Sequence, residues 1–132
     1  MERLNVMTAQ PEEPTMIRYQ HVLQVEDRDG VREVILGDPK YFIGRDIAND
    51  ICLNSQFASR YHASLLRVPA EQGDYSYQVL DGDLEGKPST NGLYVNDRKV
   101  NSHTLDAGDV ITFGPDAKLT YQLMLKNKSV AG

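Results

Sequence analysis

From Tyr19 to Leu125 the chain is cut into short β-type runs by turn residues, and nowhere do apolar residues recur at helical spacing for three turns. This absence constrains the fold most. A buried helix must show its 3.6-residue repeat, whereas a strand needs only alternation. His21 to Glu26 and Val31 to Leu36 flank Asp27-Arg28-Asp29-Gly30, a hairpin connection. Gly37-Asp38-Pro39 turns the chain into Tyr41 to Ile43, and a polar connection separates Ala63 to Val68 from Tyr75 to Leu80. Leu93 to Val95, Lys99-Val100, Val110 to Phe113 and Leu119 to Leu125 complete the set. The pattern predicts an all-β fold, a two-sheet sandwich of about 10–11 short, mostly antiparallel strands.

A chain of 132 residues is long enough for one domain with a working core. Its 40% hydrophobic and 25% charged content is that of a folded globular protein. Residues 1–17 are polar, carry Pro11 and Pro14, and read as a flexible arm; residues 18–125 form the domain, and 126–132 a flexible tail. Thr8 and Thr15 give the arm two hydroxyls that a kinase can modify in principle. With 14 basic and 19 acidic side chains the net charge is −5, which argues against nucleic acid held by a general basic field. The single cysteine, Cys52, excludes an internal disulfide and a cysteine-type zinc site; it reads as a small buried hydrophobe. No run approaches the ~20 apolar residues of a membrane span, and the N-terminus lacks a signal-peptide core. The expected setting is a reducing cytoplasm without membrane insertion.

Against that acidic background, Tyr41 to His62 stands out. A short apolar run breaks at Gly44, Arg45 follows at once, and Ser59-Arg60 stand just before His62. Two guanidiniums and a hydroxyl on two loops suit a doubly charged oxyanion, because arginine offers a planar fork of donors that matches phosphate.

Gly44-Arg45, Asn49-Asp50-Ile51, Ser59-Arg60-Tyr61-His62, then Ser89-Thr90-Asn91-Gly92 with Val95-Asn96, occur in an order that resembles the forkhead-associated (FHA) domain. The resemblance covers roughly Tyr19 to Leu125, and Leu105 to Gly114 is similar to that family's L-x-x-G-D-x-I-x-F-G run. That run is assigned to folding alone, with Val110 and Thr112 on one face of a strand and Ile111 and Phe113 on the other. The resemblance implies that three loops meet at one end of the sandwich and grip a phosphothreonine in a partner peptide. Arg45, Ser59 and Thr90 would contact phosphate. Arg60 and Asn91 would hold the peptide main chain. His62 would brace the loops from inside, and Gly44 and Gly92 would supply backbone shapes that a Cβ hinders. It also implies an adaptor that is not an enzyme, has no cofactor, and acts downstream of a Ser/Thr kinase. The alternative is a module of the same fold that works without phosphate, through a sheet face or by self-association.

Two superficial matches fail. Asp81, Asp83, Glu85 and Gly86 start like an EF-hand loop, but its twelfth position is Gly92 and no helices flank it, so no metal site is expected. Gly82 to Pro88 falls one residue short of a P-loop and ends in proline. The lone cysteine and the histidines form no base–nucleophile pattern. His21 and His103 look incidental.

Overall fold

In a computed structural model of the chain, residues 18–70, 74–83 and 85–126 are described. The expected arm at 1–17, with Thr8 and Thr15, and the tail from 127 onward lie outside the described residues. Among the described residues eleven strands follow in order: β1 (Tyr19–Asp27), β2 (Gly30–Leu36), β3 (Lys40–Gly44), β4 (Ile51–Cys52), β5 (Ala63–Pro69) and β6 (Tyr75–Asp81). Then come β7 (Leu93–Val95), β8 (Arg98–Val100), β9 (Ser102–Thr104), β10 (Val110–Gly114) and β11 (Ala117–Leu125). Among the described residues there is no helix.

The strands form two sheets, one ordered β9-β6-β5-β3-β4 and the other β2-β1-β11-β10-β7-β8. Every pairing is antiparallel except β3 with β4, which run parallel with Ile43 opposite Ile51. The all-β sandwich read from the sequence is the fold. Strand β9 has no counterpart in the sequence pattern, because Ser102-His103-Thr104 carries no apolar residue and pairs only with distant β6.

Alternation builds the core. Leu23 and Val25 of β1, Ile43, Leu65, Val79, Ile111, Phe113 and Leu119 are all sealed between the sheets. Each such side chain contributes roughly 1.5–3 kcal/mol on leaving water. At one end, His21 is buried rather than incidental: Nδ1 meets the Tyr121 hydroxyl and the ring stacks on Tyr75 at 4.5 Å. Cys52 is half-buried rather than sealed, with Sγ donating to the Arg45 carbonyl at 3.4 Å.

Two hairpin details close this same end, where the Tyr121 N–H donates to the Asp109 carbonyl at 2.9 Å. Asn96 and Asp97 take φ of +52° and +70°, turning β7 tightly into β8. The Asn96 amide donates to Asp109 Oδ1 at 2.8 Å, and its carbonyl accepts the Val110 N–H at 3.0 Å, tying that turn to β10. His103 is not incidental either, since its Nε2 meets Asp109 Oδ2 at 2.9 Å. Burial pushes the Asp109 carboxyl up, but the Asp106 N–H, Asn96 and His103 outweigh it and hold the group below its ordinary range.

Candidate functional site

The loops after β3 and before β5 run side by side. Arg45 N–H donates to the Ser59 carbonyl at 3.0 Å, Asp46 N–H to the Arg60 carbonyl at 3.2 Å, and His62 N–H to the Ile43 carbonyl at 2.9 Å. This contact needs a glycine at 44 for close approach. A Cβ there would stand 2.2 Å from the Arg60 carbonyl oxygen. Asn49 clamps the same place, its amide donating to the carbonyls of Arg60 at 2.7 Å and Asp46 at 2.8 Å. The second loop is seated by the Ser55 hydroxyl on Asp116 and by Phe57 against Gly114.

The third loop, between β6 and β7, is joined to them through His62, which is fully buried. His62 Nδ1 accepts the Ser59 N–H at 3.0 Å, and a backbone N–H can only donate, so Nδ1 carries no proton. Nε2 therefore holds the hydrogen and donates it to the Gly92 carbonyl at 2.8 Å. One neutral ring thus ties the two loops. Burial holds its pKa below the ordinary 6.5, opposed by the Gly92 bond and the nearby Asp81 charge. Gly92 sits at φ +90°, the left-handed region that favours glycine. Its N–H donates to the Ser89 hydroxyl at 3.0 Å, and Ser89 in turn donates to Asp81. Thr90 N–H then donates to Ser59 Oγ at 2.8 Å, linking the loops at the surface.

These three loops enclose an open cleft of about 280 Å³, walled by Arg45, Ser59, Arg60 and Thr90. Arg45 Nε donates to the Ala58 carbonyl at 3.1 Å, which fixes the guanidinium while both terminal nitrogens keep no partner among the described residues. Ser59 spends a lone pair on Thr90, so its own O–H is left to donate. Arg60 is 67% exposed and only loosely held by Asp46, at 3.9 Å. Asn91 does not wall the cleft; its amide nitrogen donates to the Phe57 carbonyl at 2.8 Å.

Lys87, Tyr61 and Asp83 also lie on this wall. Asp83 faces its own turn, accepting the N–H groups of Glu85 and Lys87, each at 2.9 Å. The seat therefore gathers Arg45, Arg60 and Lys87 with the hydroxyls of Ser59 and Thr90 on an otherwise acidic chain, a donor set for a compact oxyanion. Both His62 nitrogens are engaged and the ring is sealed.

The chain is 38% identical over 99 residues to an uncharacterized protein of Synechocystis, covering 74% of this chain and 14% of that protein. It is 35% identical over 72 residues to an ABC transporter ATP-binding/permease protein of Mycobacterium tuberculosis, covering 54% of this chain and 7% of that one. The chain thus spans only a small fraction of the curated relatives it matches. Among solved structures it superposes on the Slr1951 protein from Synechocystis with a TM-score of 0.74 at 41% identity, covering 77% and 96% of the two chains. An FHA domain studied for phosphothreonine-dependent interactions gives a TM-score of 0.62 at 28% identity, covering 78% and 95%. EmbR of M. tuberculosis, solved with a low-affinity phosphopeptide, gives 0.59 at 29%, covering 82% of this chain and 26% of that one. The FHA domain profile matches residues 41–114, more than half the chain, and the protein belongs to the FHA domain family.

Proposed function

We propose that this domain is a phosphothreonine-dependent interaction module, an adaptor that docks onto proteins phosphorylated by a Ser/Thr kinase in the cytoplasm. The observation that carries this reading is the pairing of Ser59 with Arg45 on one cleft: a hydroxyl whose acceptor side is taken and a guanidinium whose terminal nitrogens are free among the described residues. Arg45, Ser59 and Thr90 hold the phosphate. Arg60 and Asn91 engage the peptide main chain, Asn91 through the carbonyl oxygen left by its bond to Phe57. Gly44, His62 and Gly92 hold the loops in register. The partner is protein rather than nucleic acid, and the module binds without turnover. That one relative was studied for phosphothreonine dependence and another was solved with a phosphopeptide supports the assignment.

The magnitudes fit. A phosphothreonine carries about −1.5 to −2 charges near pH 7. Three or four charge-assisted bonds at roughly 1.5–3 kcal/mol each give near 8 kcal/mol gross. Ordering a peptide takes several back, and main-chain contacts restore them, for an affinity of order micromolar.

A second reading, docking through a sheet without phosphate, draws on strand β2. Among the described residues it is a sheet edge, with Val31 and Ile35 at 62% and 60% exposure. Selection from a degenerate phosphothreonine peptide library separates the two. The first reading expects enrichment on the wild type that Ser59→Ala loses; equal recovery by both proteins favours the sheet.

A further inference from the structure

Beside the phosphate cleft lies a second groove of about 380 Å³, and the two share the walls made by Tyr61 and Asp83. It is lined by Phe42, Ala48 and Ala63 together with Ser64 and Asn49, and Asp83 and Glu85 bring carboxylates to it. The turn closed by Asp83 sorts the charges to either side. Lys87 lines the cleft and Glu85 the groove, and the backbone N–H groups of both donate to one carboxylate oxygen of Asp83. Among the described residues, no lysine or arginine walls the groove.

Asn49 adds an independent observation. It lines the same groove at 7% exposure, and its Oδ1 is a buried acceptor with no hydrogen-bond partner among the described residues. Both donors of that amide are already committed to carbonyls, so the oxygen is correctly placed and short of a donor. Phe42 already carries a cation against its ring, with Lys40 Nζ 5.6 Å from the centroid.

We propose that this groove seats the side chain of a lysine or arginine lying close to the phosphothreonine in the partner. The aliphatic stem covers Ala48, Ala63 and the aromatic walls, and the charged head meets Glu85 and Asp83. An adjacent anion and cation on one peptide then match an adjacent cationic cleft and anionic groove, which turns an acidic loop beside a phosphate seat into a selectivity device. This inference rests on the phosphothreonine reading of the cleft.

Fluorescence anisotropy with the full chain tests it. The probes are phosphothreonine peptides with alanine flanks, each carrying one arginine at a different flanking position. At least one position is expected to raise affinity about fivefold over the all-alanine peptide, a gain removed by Glu85→Gln and inverted in favour of glutamate by Glu85→Lys. The all-alanine peptide itself is expected to bind wild type and Glu85→Gln alike. No gain at any position, or a gain that survives Glu85→Lys, overturns the proposal. Should phosphorylated and unmodified alanine peptides bind equally, the phosphate reading is what has failed. Amide shifts of Ala48, Ala63 and Gly82 on adding N-acetylarginine amide then still decide the groove: shifts in wild type but not Glu85→Lys support a cation seat, and none refutes it.

Discussion

The Ser59 hydroxyl accepts the Thr90 backbone N–H at 2.8 Å, joining two loops 31 residues apart in the chain. This bond fixes the direction in which the Ser59 hydrogen is free to point. Ser59→Ala removes both the donor and the acceptor, yet Thr90 is exposed and water can take over its N–H. Affinity for a phosphothreonine peptide is therefore expected to fall tenfold or more, while unfolding free energy drops by less than about 1 kcal/mol. Calorimetric titration beside urea unfolding measures both.

Gly44 touches the Arg60 carbonyl so closely that no side chain fits. Gly44→Ala forces the two loops apart and is expected to cost about 2–3 kcal/mol of stability together with peptide binding. Gly37 serves as the control, since a Cβ added there would meet nothing within 4 Å, and Gly37→Ala leaves urea unfolding nearly unchanged.

These two contacts also mark how far the sequence could be read. A strand such as β10 announces itself because one of its faces, Ile111 and Phe113, is apolar and buried. The gathering of Arg45, Ser59, Arg60 and Thr90 follows from a resemblance, since nothing in spacing alone sets which loops meet. Asn49 escapes notice as a clamp because its partner, the Arg60 carbonyl eleven residues on, is backbone and leaves no mark in composition. His21 looks idle because Tyr121, the hydroxyl it meets, comes a hundred residues later. Lys87 and Glu85 stand two residues apart, so spacing alone does not show that one walls the cleft and the other the groove beside it.

Acid should loosen the domain through its histidines. His62 and His21 are both held below the ordinary pKa of 6.5, chiefly by burial, so the unfolded chain binds protons that the folded one refuses. Their contribution is whole above pH 6.5 and is lost as pH falls from there toward the folded pKa values. Each histidine adds a slope of at most about 1.4 kcal/mol per pH unit in that window. His62→Ala is expected to lower the melting temperature at pH 7.5 and to flatten, without abolishing, the decline toward pH 5, because His21 remains. An unchanged melting temperature contradicts the bracing role of His62.

Arg45→Lys keeps the charge but loses the planar fork and the Nε bond that aims it at the cleft. Phosphopeptide affinity is expected to fall about tenfold, with the salt dependence of the residual binding retained. Titrations at two ionic strengths report both quantities.

Calorimetric titration of the wild-type chain with one peptide, prepared with phosphothreonine and with threonine, tests the central claim most directly. A micromolar dissociation constant for the phosphorylated form, at least about a hundredfold weaker binding of the other, and loss of that difference in Arg45→Ala are the predicted result. Equal affinity for the two peptides contradicts it.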